Sequence, residues 1–193
     1  LVAHHSILIF NVMGVNNLYR QKPPMEASKK DPSIMQEMSY IFDKLTPENI
    51  NECFNDLMQS KSEVLNLFTY GVLSLAQRAW CESMHFAIAT KMLELGRITP
   101  DCEDIVEQLR VELCDTYFCN FSVFQSVPDS WAVGQLFPIM PIHKLQEEPY
   151  HEATIADLTC DSDGKIEKFI DTESGEVKKT LRVHPFKEGE AYY

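Results

Sequence analysis

The densest grouping of reactive side chains is Thr159-Cys160-Asp161-Ser162-Asp163-Gly164-Lys165, where a thiol and two carboxylates follow an apolar, strand-like run. A thiol can deliver a proton to carbon or act as a nucleophile, and a carboxylate can receive the N–H donors of a cationic group. Spacing excludes an EF-hand calcium loop: with Gly164 at its sixth position the first is Thr159 and the twelfth Ile170, so two oxygen ligands are missing. The turn taken alone also fits a plainer description. Asp161 and Asp163 would make Asx-type hydrogen bonds in a strand connection, with Cys160 a small buried hydrophobe.

Two further groupings carry polar chemistry. His4 and His5 are neighbours on a strand-like run and therefore point to opposite faces, so the pair cannot readily share one zinc ion, although one of them could face a site. Phe124-Gln125-Ser126-Val127-Pro128-Asp129-Ser130-Trp131, followed by Gln135-Leu136-Phe137-Pro138, reads as a strand turning through Pro-Asp into a short helix anchored by aromatic packing. Met35, Met38, Met84 and Met92 fall on helical faces and read as core filler.

The elements that must hold these groups follow from hydrophobic period. Residues 1–13 predict a strand through Ser6-Ile7-Leu8-Ile9-Phe10. Residues 20–32 combine three prolines with four basic residues and no apolar period, which marks a linker. From Ser33 the period becomes helical, with Ile34, Met35, Met38, Ile41, Phe42 and Leu45 on one stripe. Thr46-Pro47 opens a second helix through Ile50, Cys53, Phe54 and Leu57. Ser60 with Glu63 and Ser74 with Gln77 both have capping-box spacing, and the run over 61–95 should break near Gly71–Ser74. Trp80, Met84, Ala87, Ile88, Met92 and Leu95 line the next helix, Gly96 is its expected cap, and Pro100-Asp101 opens another through Ile105, Val106, Leu109 and Leu113. Strand-like runs then recur at 117–125, 137–142, 153–160, 166–170 and 178–183. The reading is α+β: a first strand over 1–19, a linker over 20–32, a helical bundle over 33–115 and an incomplete, antiparallel β domain over 116–193.

Composition narrows the function classes. The chain has 193 residues, 45% hydrophobic and 24% charged, which is ordinary globular usage. Its formal net charge of −12 offers no basic surface to a phosphate backbone, so nucleic acid is not an expected partner. No apolar run approaches the ~20 residues of a membrane span. Six cysteines without a C-x-x-C motif predict reduced thiols in a cytoplasmic protein. Opening on Leu1-Val2-Ala3-His4-His5, without an initiator Met or signal segment, the chain reads as a piece of something longer.

Taken together, Ala3-His4-His5, Leu73–Trp80, Asn120–Trp131, Gln135–Pro141 and Asp157–Gly164 resemble, in order, the biosynthetic arginine decarboxylases of bacteria. The resemblance implies a pyridoxal 5'-phosphate enzyme that converts L-arginine to agmatine and carbon dioxide for polyamine synthesis. It also implies a β domain interrupted by a helical bundle and an alanine-racemase-like barrel. A (β/α)₈ barrel needs about 250 residues, so it is expected outside this chain, as are the lysine that anchors the cofactor and the glycine-rich loop that binds its phosphate. No cofactor-binding residue is therefore assigned here. Cys160 and Asp161 match the Cys-Asp pair of the wider ornithine, arginine and diaminopimelate decarboxylase group. In that group the pair enters the neighbouring protomer's active site, which implies a homo-oligomer with a site shared across a dimer interface. The implied roles are proton delivery by Cys160 and guanidinium recognition by Asp161, with Asp163 assisting. A magnesium requirement is a family expectation without an assigned site. Two alternatives remain: a non-catalytic regulatory or oligomerisation module of a paralogue, and a related decarboxylase for another basic amino acid.

Overall fold

The computed structural model of the chain describes residues 7–17, 24–171 and 174–193. Two compact units result, Leu18–Leu113 and the combination of Leu1–Asn17 with Cys114–Tyr193, so the helical unit interrupts the β unit in chain order.

In the helical unit, α1 (Ser33–Lys44), α2 (Ile50–Thr69), α3 (Leu75–Gly96) and α4 (Glu103–Glu112) form because apolar residues recur at three- and four-residue spacing. Ile34, Met38 and Ile41 of α1, Cys53 and Leu57 of α2, Ile88 and Met92 of α3 and Leu109 of α4 are all buried in one core. Full burial of each of the larger side chains contributes about 1.5–3 kcal/mol. Ser74 starts α3 through a capping box, its hydroxyl accepting the Gln77 N–H at 3.3 Å while Gln77 reaches back to the Ser74 N–H at 2.8 Å. Three expectations need correction. Ser60 caps nothing: it is buried inside an unbroken α2, because its position continues the buried face. Thr46-Pro47 opens a single 3₁₀ turn, Pro47–Asn49, before α2 begins. Gly96 is the last helical residue rather than a cap beyond the helix; a Cβ there would lie 2.9 Å from the Val106 Cγ2, so its bareness lets α4 approach. The described part of the linker is irregular but tied down, since Trp80 Nε1 donates to the Met25 carbonyl at 2.9 Å and the Ala27 N–H donates to Ser39 Oγ at 3.1 Å.

The β unit holds β1 (Val12–Asn16), β2 (Asp115–Cys119), β3 (His151–Ala156), β4 (Lys165–Ile166) and β7 (Leu181–Val183) in one sheet, with β5 (Phe169–Ile170) and β6 (Val177–Lys178) as a separate hairpin. The α+β class holds, but the sheet is not wholly antiparallel. β1 runs antiparallel to β2, β2 runs parallel to β3, and β3 takes β4 and β7 as antiparallel partners on its other edge. The long connection from β2 to β3, carrying the short helices α5 (Val123–Ser126) and α6 (Pro128–Ala132), is what returns the chain in the same direction. The strand expected at Ser6–Phe10 is displaced: residues 7–11 are irregular and pairing begins at Val12, where partners on β2 are available; residues 1–6 lie outside the description. The run at 117–125 ends as strand at Cys119 and becomes α5 at Val123. Residues 137–142 form no strand, because Pro138 and Pro141 cannot donate to a ladder.

One ionic cluster joins three helices of the bundle. Glu112 Oε1 lies 2.9 Å from Nε2 of buried His85 and is also paired with Lys61. Burial alone would raise the Glu112 carboxyl, but the hydrogen bonds and charges of His85 and Lys61 outweigh it and lower its pKa from 4.5 to about 2. A depressed carboxylate stabilises the fold above its unfolded pKa, and that stabilisation is lost as pH falls towards the folded value. Because Lys61 is largely exposed, the contribution is on the order of 2 kcal/mol. Acid unfolding followed by circular dichroism should show stability falling between about pH 5 and pH 2. In Glu112→Gln that component of the pH dependence should be absent and stability at neutral pH lower.

Candidate functional site

The loop over 157–164 joins β3 to β4, and its two ends are fastened where the strands separate: the Asp157 N–H donates to the Gly164 carbonyl at 2.8 Å. Its base is unusual in burying a carboxylate. Asp157 is 5% exposed, and each of its oxygens receives donors. Oδ2 accepts the Val123 N–H at 2.8 Å; Oδ1 accepts the Thr159 N–H at 2.9 Å and the Thr159 hydroxyl at 2.6 Å. Burial alone would push the Asp157 carboxyl up, yet these hydrogen bonds prevail and hold it below the usual range. A buried carboxylate is tolerated only when its lone pairs are met in this way.

Gly164 completes the base. A Cβ at that position would sit 2.2 Å from Asp157 Oδ1 and 2.7 Å from Thr159 Oγ1, a space only glycine leaves open. Its N–H donates to the Asp161 carbonyl at 3.1 Å, and the Lys165 N–H donates to the Asp163 carbonyl at 2.8 Å. The Asp163 N–H in turn donates to Asp161 Oδ1 at 3.0 Å, an Asx turn that fixes the tip.

Above this base, Cys160, Asp161, Ser162 and Asp163 are all exposed. The structure thus brings the three singled-out residues onto one loop tip, and the alternative in which Cys160 is a buried hydrophobe does not describe it. All six cysteines are free thiols, and Cys160 alone is exposed. Burial pushes the thiols of Cys81 and Cys119 up to about 11 and about 12, and raises those of Cys53 and Cys114 as well. Those four are therefore inert sulfur by comparison. The aromatic corner is also formed: Phe124 and Trp131 meet edge to face at 5.4 Å, and the Val123 that opens it is the donor to Asp157. His4 and His5 lie outside the described residues.

Asp157 and Gly164 were not singled out from the sequence as functional. The signal that could have found them is an acid directly at a strand's end followed seven residues later by a glycine, which reads as a loop closed on itself. Among the described residues no group of three or more His, Cys, Asp or Glu side chains is placed to hold a metal ion. Among the same residues no helix is long and apolar enough to cross a membrane.

Residues 28–110, which span the helices of the helical unit from α1 into α4, match the arginine decarboxylase helical bundle domain. The chain as a whole is similar to one segment of proteins named biosynthetic arginine decarboxylase. It is 46% identical over 193 residues to the biosynthetic arginine decarboxylase of Gloeobacter violaceus, covering 100% of this chain and 30% of that protein. The protein of the same name from Thermosynechococcus vestitus is 45% identical over 193 residues, with the same shares. The crystal structure of the biosynthetic arginine decarboxylase SpeA from Campylobacter jejuni superimposes with a TM-score of 0.71 at 29% identity, covering 95% of this chain and 27% of that one. The chain thus spans about 30% of the length of the curated relatives it matches.

The exposure pattern makes a direct prediction for this chain. Under native conditions a thiol-alkylating reagent should modify one cysteine rapidly, with Cys160→Ser abolishing that phase, half-buried Cys114 reacting more slowly and the four buried thiols only on unfolding. Mass spectrometry of the labelled peptides checks the site.

Proposed function

We propose that this chain supplies Cys160 and Asp161 to the active site of a pyridoxal-phosphate-dependent arginine decarboxylase, which converts L-arginine to agmatine and carbon dioxide for polyamine synthesis. The observation that carries this reading is the loop tip: the single exposed thiol sits beside Asp161 on a base built from a buried carboxylate, in a chain homologous throughout to biosynthetic arginine decarboxylases. The donor set suits substrate rather than cofactor. Holding the cofactor requires a covalent anchor and donors to its phosphate; a thiol and two carboxylates fit instead a reacting carbon and a cationic side chain.

When bound, the cofactor draws electrons away from the substrate's α-carbon and so permits loss of carbon dioxide. Cys160 has the task of holding a proton at Sγ and delivering it to that carbon as the electron pair is left behind, the thiolate then recovering a proton from solvent. Asp161 faces the far end of the substrate. Its Oδ1 is shared with the Asp163 N–H, and its negative charge complements the guanidinium, whose fork of N–H donors matches a carboxylate. Asp163, exposed on the same tip, adds charge of the same sign. Exposed groups on a loop tip do not enclose a substrate by themselves; in this reading, which follows the resemblance, the tip of one subunit of a homodimer enters its twin's cofactor pocket. Six free thiols agree with a cytoplasmic enzyme.

In the full-length parent, Cys160→Ala should bind cofactor with an unchanged absorbance spectrum and lose about a hundredfold or more in arginine decarboxylation, measured as released carbon dioxide and agmatine. Asp161→Ala should chiefly raise KM for arginine and erode the preference over ornithine. Agmatine formation undiminished by the loss of the thiol would remove Cys160 from the reaction.

A further inference from the structure

Exposed loop tips move unless something rigid holds them, and proton delivery to a carbon tolerates misplacement of well under 1 Å. The grip on this tip is concentrated in one side chain. Asp157 Oδ1 holds Thr159, the residue directly before Cys160, by its N–H at 2.9 Å and its hydroxyl at 2.6 Å. Oδ2 holds the Val123 N–H at 2.8 Å, which belongs to a different element, α5. Both oxygens act as acceptors towards N–H donors, so only a carboxylate serves. An amide would have to present its NH₂ to a backbone N–H on one side or the other. Charge-assisted bonds of this type are roughly twice as strong as neutral ones, and the bond to Val123 is buried, where water competes least.

We infer that Asp157 is a positioning residue for Cys160, its buried carboxylate fixing the loop tip to α5, with Gly164 leaving the room that this requires. The inference rests on the proposed role of Cys160 and extends it to a residue that never touches substrate. It also assigns a task to Val123 and the aromatic corner it opens: the corner anchors the tip.

The test is a double-mutant cycle in the full-length holoenzyme. Asp157→Asn should lower kcat for arginine about tenfold to a hundredfold. KM should change less, the cofactor spectrum should be retained, and Asp157→Glu, which keeps the carboxylate, should recover part of the loss. In a Cys160→Ala background, Asp157→Asn should have no further effect on kcat, because the residue acts through the thiol. Thr159→Val, which removes one of the three donors to Asp157, gives the same cycle at smaller amplitude and decides the matter if Asp157→Asn does not fold. Full additivity of either variant with Cys160→Ala, or an unchanged kcat in the single variant, overturns the positioning role. Full activity of Cys160→Ala itself would instead overturn the role of the thiol, an outcome the cycle reads separately.

Discussion

A carboxylate removed from water must find donors for both oxygens, and at Asp157 that requirement determines how the β unit is assembled around the loop. Its donors come from two places in the sequence: Thr159, two residues on, and Val123, thirty-four residues back. The second is reachable only because β2 and β3 run parallel, with Phe118 level with Ala156. Parallel strands deliver their carboxyl ends to the same edge of the sheet, so the chain leaving β2 and the chain leaving β3 emerge side by side. Were that pair antiparallel, the two ends would lie at opposite edges and the carboxylate would be left buried without its second donor. The long β2 to β3 connection, with its two short helices, is therefore a condition of the loop and not an ornament on it.

The helical unit solves its own problem in a related way. Its core is largely apolar, and its buried imidazole, His85, is placed where Glu112 of α4 can meet its Nε2, with Lys61 of α2 meeting the same oxygen. In both units a buried or half-buried acid joins elements distant in sequence, and in both its pKa is lowered because donors more than offset the cost of burial.

Legibility of the fold divides along physical lines. Helices declare themselves through a local period and local caps, so the stripes of α1 and α3 and the Ser74–Gln77 capping box could be read directly. Ser60 with Glu63 has the same spacing but sits mid-helix, since spacing alone carries no information about which face is buried. Strands are less readable because pairing is not local. The apolar run at Ile7–Phe10 is a better strand by composition than Val12–Asn16, yet only the latter is aligned with β2. The parallel pair has no sequence signature at all, since direction is decided by the length and path of the connection. The same limit hid the anchor of the site. Cys160, Asp161 and Asp163 could be singled out by residue type and order, whereas Asp157 acquires its importance from Val123, which no periodicity links to it.

Three aspartates within seven residues thus have different chemical prospects, set entirely by surroundings. Asp157 has both oxygens committed to donors and lies 5% exposed, so no substrate can use it; its contribution is geometric. Asp161 commits Oδ1 to the turn and remains at the exposed tip, where its charge is open to solvent. Asp163 takes part in the turn through its backbone, donating its N–H to Asp161 and accepting the Lys165 N–H at its carbonyl, and its side chain is exposed. A rigid acid below and charged acids above is the arrangement a loop needs if its tip is to reach into a pocket formed elsewhere. The stiffness has to come from groups facing inward, because those facing outward have no protein around them to hold them.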